Sequence, residues 1–252
     1  MKLTLVGAGP GDPELITLKG VRALQQADVV MYDALVHPDL LDHCRPDALK
    51  VYVGKRRGAY SCMQEDINPL IVHYARQYGH VVRLKGGDSF VFGRGYEEVE
   101  FARQHGIETA VVPGLSSSYA VPASAGIPLT TRGLSESFWV VTGTTKAGQL
   151  SADLQLAAQS SATVVVLMGM HKLAEIMAVF AGHGKSDTPV AIIQNGTLPE
   201  QRIVVGQVRD IQHKAADGQI DNPAIIVIGE VAALNQVGVQ IELAGILATA
   251  TA

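Results

Sequence analysis

Ten short runs rich in valine, isoleucine and leucine recur along the chain, and most end in a glycine. The first five are "KLTLVGAG", "DVVMY", "LKVYVG", "VVRLKGG" and "ETAVVPG". Helix-length stretches separate several of them, notably "MQEDINPLIVHYARQYG" and "YEEVEFARQHG", each closing on a glycine able to take a left-handed cap. Apolar strands alternating with helices are the pattern of a mainly parallel sheet covered on both faces. The rhythm breaks at "PGLSSSYAVPASAGIPLTTRG", which holds three prolines and three glycines, a boundary signal. Five more runs follow: "SFWVVTG", "TVVVLMG", "PVAIIQNG", "QRIVVGQV" and "PAIIVIGEV". Only "TLPE" separates the third of these from the fourth, too short for a helical crossover, so part of the second sheet is expected to be antiparallel. The expectation is an α/β protein of two α/β domains, residues 1–113 and 114–252.

The first strand climbs into "GAGPGD", and a phosphate-binding turn is the obvious candidate. A dinucleotide fingerprint needs Gly-x-Gly-x-x-Gly, so that the helix can pack close to its strand. Gly7 and Gly9 fit, but Asp12 occupies the third position. Pro10 and Pro13 each remove a backbone donor, and Asp12 sets a negative charge where a pyrophosphate would lie. The turn reads as a tight strand-to-helix corner, and a nucleotide-dependent oxidoreductase is disfavoured.

Other classes fall on charge and motif. A formal charge of −4 argues against a general nucleic-acid partner. Apolar stretches such as "TVVVLMGM" are strand-length and too short to cross a bilayer, and no signal-peptide pattern opens the chain. Cys44 and Cys62 make no C-x-x-C pair, which fits reduced residues of a cytoplasmic protein. The eight histidines include no H-E-x-x-H and no ligand-spaced cluster with cysteine, so no metal is expected. "GLSSS" is no nucleophile elbow.

In open α/β sheets ligands lie beyond the carboxyl ends of the strands. Those positions hold Gly7–Asp12, Asp33, "GKRR" at 54–57, "GGD" at 86–88 with "FVFGRGYEE" after it, Gly114–Ser118, Met168-Gly169 and Asn195-Gly196-Thr197. Glycine plus a polar group at nearly every strand end is what a small-molecule cleft lined by backbone requires. Taken singly, each has an ordinary structural explanation. "GKRRG" can be a solvated face, Asp33 a helix cap, "GGD" a plain turn and Met168 core filler. Arg83, Lys85, Arg94 and Arg132 also lie at or near strand ends or linkers, and cations gathered in an acidic protein point to a polyanionic ligand.

Seven stretches occur in register over most of the chain: "VGAGPGDPELITLKG", "ADVVMYDALV", "VGKRRG" with "QEDIN", "VVRLKGGDSFVFGRGYEE", "VVPGLSSSYAVPASAGIPLTTRG", "VVTGTT" and "IIQNGT". Together they resemble the tetrapyrrole methylases. The resemblance implies the class III methyltransferase fold, two α/β domains facing each other over the active-site cleft, in a homodimer. It implies S-adenosylmethionine as methyl donor, with contacts at Pro10, Gly86, Gly87, Asp88, Val91, Ser116, Ser117, Met168 and Gly196. The implied reaction is successive methylation of uroporphyrinogen III at C2 and C7 to precorrin-2, in sirohaem, cobalamin or haem d1 biosynthesis; methylation of a later precorrin is the alternative. By motif position Asp33 is the implied proton acceptor and Lys55 the donor. Arg94 is expected either to hold a substrate carboxylate or to influence that proton, and Lys55, Arg56 and Arg132 are expected to face the carboxylate-ringed substrate that the resemblance implies. The chain departs from the family pattern at Ser89, where proline is usual, and at Thr131, where histidine is common.

Overall fold

The computed structural model describes residues 1–54 and 64–234. They form two compact units, Met1–Val121 with Gln194–Arg202, and Pro122–Ile193 with the described residues from Ile203 onward.

In the first unit β1 (Lys2–Gly7), β2 (Val29–Tyr32), β3 (Leu49–Tyr52), β4 (His80–Lys85) and β5 (Glu108–Val112) form one sheet in the order β3-β2-β4-β1-β5. Every pairing is parallel, so all five carboxyl ends lie along one edge. Strand side chains alternate between faces. Leu3, Leu5, Val29, Met31 and Val81 cluster with Ile71 and Ala75 of α2 (Gln64–Tyr78) and Val99 and Ala102 of α3 (Gly95–Gln104). Val6, Val30, Val82, Leu84 and Val112 pack the other way, with Leu24 of α1 (Leu18–Gln25) and with Leu40 and Cys44. Both glycine caps form as the sequence predicts, Gly79 at φ 107° after α2 and Gly106 at φ 74° after α3.

The boundary falls inside α4 (Ser117–Ser124), at Val121/Pro122, later in the chain than the 113/114 division read from composition. The helix opens beside the first sheet, so the proline- and glycine-rich stretch changes unit only where Pro122 enters it. In the second unit the sheet order is β6-β7-β10-β8-β9. Its strands are β6 (Phe138–Thr142), β7 (Thr163–Leu167), β8 (Pro189–Gln194), β9 (Arg202–Gln207) and β10 (Ala224–Ile228). β6 runs parallel to β7 and β10 antiparallel to it, so the sheet is mixed; β8 and β9, joined by the short "TLPE" connection, are neighbours in it. Phe180 and Ile176 of α6 (Leu173–Gly182), Leu154 and Ala157 of α5 (Asp153–Gln159) and Ile211 of α7 (Ile211–Asp217) cover Val164, Val166, Ile192 and Ile226. No helix among the described residues is long and apolar enough to cross a membrane.

Candidate active site

At the carboxyl edge of the first sheet three loops meet through glycines. A Cβ on Gly7 would lie 2.5 Å from the Gly114 nitrogen and 2.7 Å from the Gly87 oxygen. A Cβ on Gly114 would lie 2.4 Å from the Gly87 oxygen. Gly9 and Gly87 exchange both backbone hydrogen bonds, Gly9 N–H to Gly87 O at 3.2 Å and Gly87 N–H to Gly9 O at 2.7 Å. "GAGPGD" is therefore a corner locked to the loop after β4. Asp12 caps the short turn that follows, accepting the Glu14 N–H at 2.8 Å.

Asp88 joins the loops after β4 and β5. Its carboxylate accepts the Phe90 N–H at 2.8 Å and the Gly114 N–H at 3.0 Å. Ser116 ends the β5 loop and caps α4, its Oγ accepting the Ser118 N–H at 3.3 Å. Gly87, at φ 68°, has open space where a side chain would start; the nearest atom to its added Cβ is the Ser117 nitrogen at 3.9 Å. Gly86 lies under Leu35, whose Cβ would be 2.7 Å from a side chain added there. Val91 is exposed on the loop that follows.

Ser89 is buried there and its hydroxyl has no partner among the described residues. An unpaired buried hydroxyl costs about 1–3 kcal/mol, so Ser89→Ala is expected to leave stability unchanged or raise it by up to about 1 kcal/mol in urea unfolding. A loss above that size would show that the hydroxyl is paired.

Asp33, the first residue after β2, accepts the Leu35 N–H through Oδ1 at 3.1 Å. Its Oδ2 lies 3.8 Å from Nη2 of Arg83. Arg83 and Lys85 of β4 face the interior and converge on the fully buried Glu98 of α3, at 3.5 Å from Arg83 Nε and 2.8 Å from Lys85 Nζ to the same oxygen. Burial and the Arg83 charge push the Lys85 ammonium down in pKa, and Glu98 opposes them. The expectation that Arg83 and Lys85 await a polyanionic ligand is thus corrected. Their odd positions put them on the face that α3 covers, where both pair with Glu98. Arg94, in left-handed conformation at φ 58°, carries a bidentate pair with Glu97 at 2.9 and 2.6 Å.

Gly196 belongs to the first unit, although the sequence places it in the C-terminal half. The loop after β8 returns: the Gly196 backbone is packed against Val121, 2.2 Å from a Cβ added there, and Thr197 Oγ1 accepts the Asp12 N–H at 3.0 Å. Pro10 adjoins this contact, half-buried, and Ser117 opens α4. In the second unit Met168 follows β7 at φ 54°, half exposed, and its carbonyl accepts the Thr144 hydroxyl at 3.2 Å. A left-handed non-glycine costs about 1–3 kcal/mol and is held where its surroundings over-determine it. Arg132 is exposed, in a turn closed by the Thr131–Ser135 bridge. Lys55 and Arg56 lie outside the described residues.

One edge of the first unit therefore gathers Pro10, Asp33, Gly86, Gly87, Asp88, Val91, Ser116, Ser117 and Gly196. The sequence reading missed Glu98 as a buried charge. Its signal was available: Gly95, Val99 and Ala102 mark the apolar stripe of α3, and Glu98 sits on it. Among the described residues no group of three or more His, Cys, Asp or Glu could hold a metal ion.

The chemistry at this edge suits S-adenosylmethionine. Gly87 leaves room beside the backbone amides that open α4, and Asp88 keeps acceptor capacity beyond its two backbone bonds. Val91 offers an exposed apolar contact. Together they can meet a carboxylate, a polar hydrogen-bonding group and an apolar ring.

Residues 2–212 match the family model of the Tetrapyrrole (Corrin/Porphyrin) Methylases. The chain is 46% identical over 232 residues to the uroporphyrinogen-III C-methyltransferase of Methanocaldococcus jannaschii, covering 91% of this chain and 96% of that enzyme. It is 49% identical over 236 residues to the siroheme synthase of Actinobacillus pleuropneumoniae serotype 7, covering 93% of this chain and 48% of that enzyme, so it spans about half the length of that relative. The structure of the Thermus thermophilus uroporphyrin-III C-methyltransferase complexed with S-adenosylhomocysteine superposes with a TM-score of 0.78 at 40% identity, covering 93% of this chain and all of that one. Two α/β units, glycine-locked loops along one strand edge and a match across most of its length place this chain in the tetrapyrrole methylase family.

Proposed function

We propose that the chain transfers methyl groups from S-adenosylmethionine to C2 and C7 of uroporphyrinogen III, giving precorrin-2 through precorrin-1. The observation that carries this assignment is the likeness to the archaeal C-methyltransferase along nearly the whole of both chains. The seven motif stretches support it. Working as a cytoplasmic homodimer is part of the same proposal.

When bound, S-adenosylmethionine supplies an electrophilic methyl on a sulfonium. Pro10, Gly86, Gly87, Asp88, Val91, Ser116, Ser117, Met168 and Gly196 are its proposed contacts, the role of the protein being to orient the pair and exclude water. With both bound, an electron-rich pyrrole carbon would take that methyl in line, a C–C bond forming as the S–C bond breaks, and the residues named would hold the two in that line. The macrocycle then loses a proton, which asks for a base of modest strength. Asp33 is the proposed acceptor and Lys55 the proposed donor. Arg94, already oriented by Glu97, acts on a substrate carboxylate or that proton, and Lys55, Arg56 and Arg132 bind the remaining carboxylates.

Calorimetric titration with S-adenosylhomocysteine tests the cofactor half. Wild-type protein is expected to bind it and to ignore NAD. Asp88→Ala removes acceptors for two backbone amides and a cofactor contact together, so its affinity should fall by about tenfold or more, with part of the effect passing through the loop. Undiminished affinity in Asp88→Ala, or tight NAD binding by the wild type, would contradict the site assignment.

A further inference from the structure

We infer that Arg83 is a positioning residue for methyl transfer, holding the Asp33 carboxylate in the orientation from which it takes the macrocycle's proton. The inference rests on Asp33 being the acceptor proposed above.

The four charges Asp33, Arg83, Glu98 and Lys85 form one connected cluster, and only Asp33 reaches the surface. Its side chain is 26% exposed against 3% for Arg83, 7% for Lys85 and none for Glu98. The guanidinium cannot drift. Nη1 donates to the carbonyls of Met31 at 3.3 Å and Leu84 at 3.1 Å, and Nε faces Glu98. Met31 and Arg83 are register partners on adjacent strands, so the Asp33 loop and the group that meets its carboxylate are anchored in the same rigid sheet. The Leu35 N–H holds the other oxygen, and among the described residues the carboxylate keeps further acceptor capacity at its exposed end.

Burying three charges is a costly way to fill a core, since apolar residues of similar volume commonly do as well or better. Here the cost has an outlet at the strand edge. Glu98 and Lys85 fix the arginine, the arginine faces the aspartate, and the aspartate faces outward. A one-ångström misplacement of a reacting group lowers rate without altering binding.

A double-mutant cycle of Arg83→Lys and Asp33→Asn tests this. Lysine keeps the buried positive charge and loses the fork. Arg83→Lys is expected to lower kcat by about tenfold to a hundredfold. KM for uroporphyrinogen III and the affinity for S-adenosylhomocysteine should stay within about twofold of wild type. In the Asp33→Asn background the same substitution should cost less than about twofold in kcat, because a residue acting through Asp33 has nothing left to position. If Arg83→Lys fails to bind S-adenosylhomocysteine, the cycle is run with Arg83→Gln, whose amide keeps a donor for the Met31 and Leu84 carbonyls. Losses that multiply independently, a wild-type kcat, or a change confined to KM would overturn the positioning role alone. Wild-type turnover by Asp33→Asn would overturn the acceptor role, and the positioning role with it.

Discussion

Gly114→Ala is expected to destabilise the first unit by more than about 3 kcal/mol, among the largest effects a single methyl can have. The new Cβ would stand 2.4 Å from the Gly87 carbonyl oxygen and 2.7 Å from Gly7 atoms. All of these are backbone, so no side chain can rotate away. Relief requires β1, β4 or the β5 loop to shift, and β1 is hydrogen-bonded to both neighbours. The same shift would break the Asp88 bond to the Gly114 N–H, so affinity for S-adenosylhomocysteine should fall with stability. Gly106→Ala serves as the comparison. It sits at positive φ, as Gly114 does not, but nothing lies within 4 Å of its Cβ, so only backbone strain of about 1–2 kcal/mol is expected. Urea unfolding of the two variants decides the matter. Equal midpoints would mean that the three-glycine contact does not hold the edge together.

Glu98→Ala is expected to cost about 3–5 kcal/mol, the range for breaking a buried ion pair from one side. Arg83 and Lys85, both almost fully buried, would lose the buried carboxylate that both pair with. Lys85 can shed its proton, since burial and Arg83 already push its pKa down; Arg83 cannot. Glu97→Ala, one residue away, removes half of a pair that is about half exposed and should cost under about 1 kcal/mol. The adjacent glutamates thus differ several-fold in effect because one faces the sheet and the other solvent. A melt that separated them by less than the error would remove the buried cluster from the account of this fold.

Much of this was legible in the residues. The ten strands of the described residues fall where the β-branched runs predict them; central strands such as β1, β7 and β8, buried on both faces, read as continuous apolar runs. Helices α2 and α3 were equally plain from their length and glycine caps. Chain order alone does not give the unit division at Val121/Pro122 or the place of Gly196. Chain order says nothing of where the loop after β8 packs, and the contact that places it, Thr197 on the Asp12 N–H, spans 185 residues. Charge misled at Arg83 and Lys85. Their strand-end place looked like a binding surface, yet side-chain alternation sets both on the α3 face, and only the partner helix reveals that a glutamate waits there. Asp33 lies on the same parity as Met31 and Arg83, so its link to the cluster could have been read once α3 was assigned to that face.

The most direct measurement is anaerobic incubation of the purified protein with S-adenosylmethionine and freshly prepared uroporphyrinogen III, followed by the mass of the oxidised products. A product carrying two added methyl groups, preceded by a transient with one, is the predicted result. No methylated tetrapyrrole, from protein shown by titration to bind S-adenosylhomocysteine, would contradict the proposed reaction and direct the search to a later precorrin.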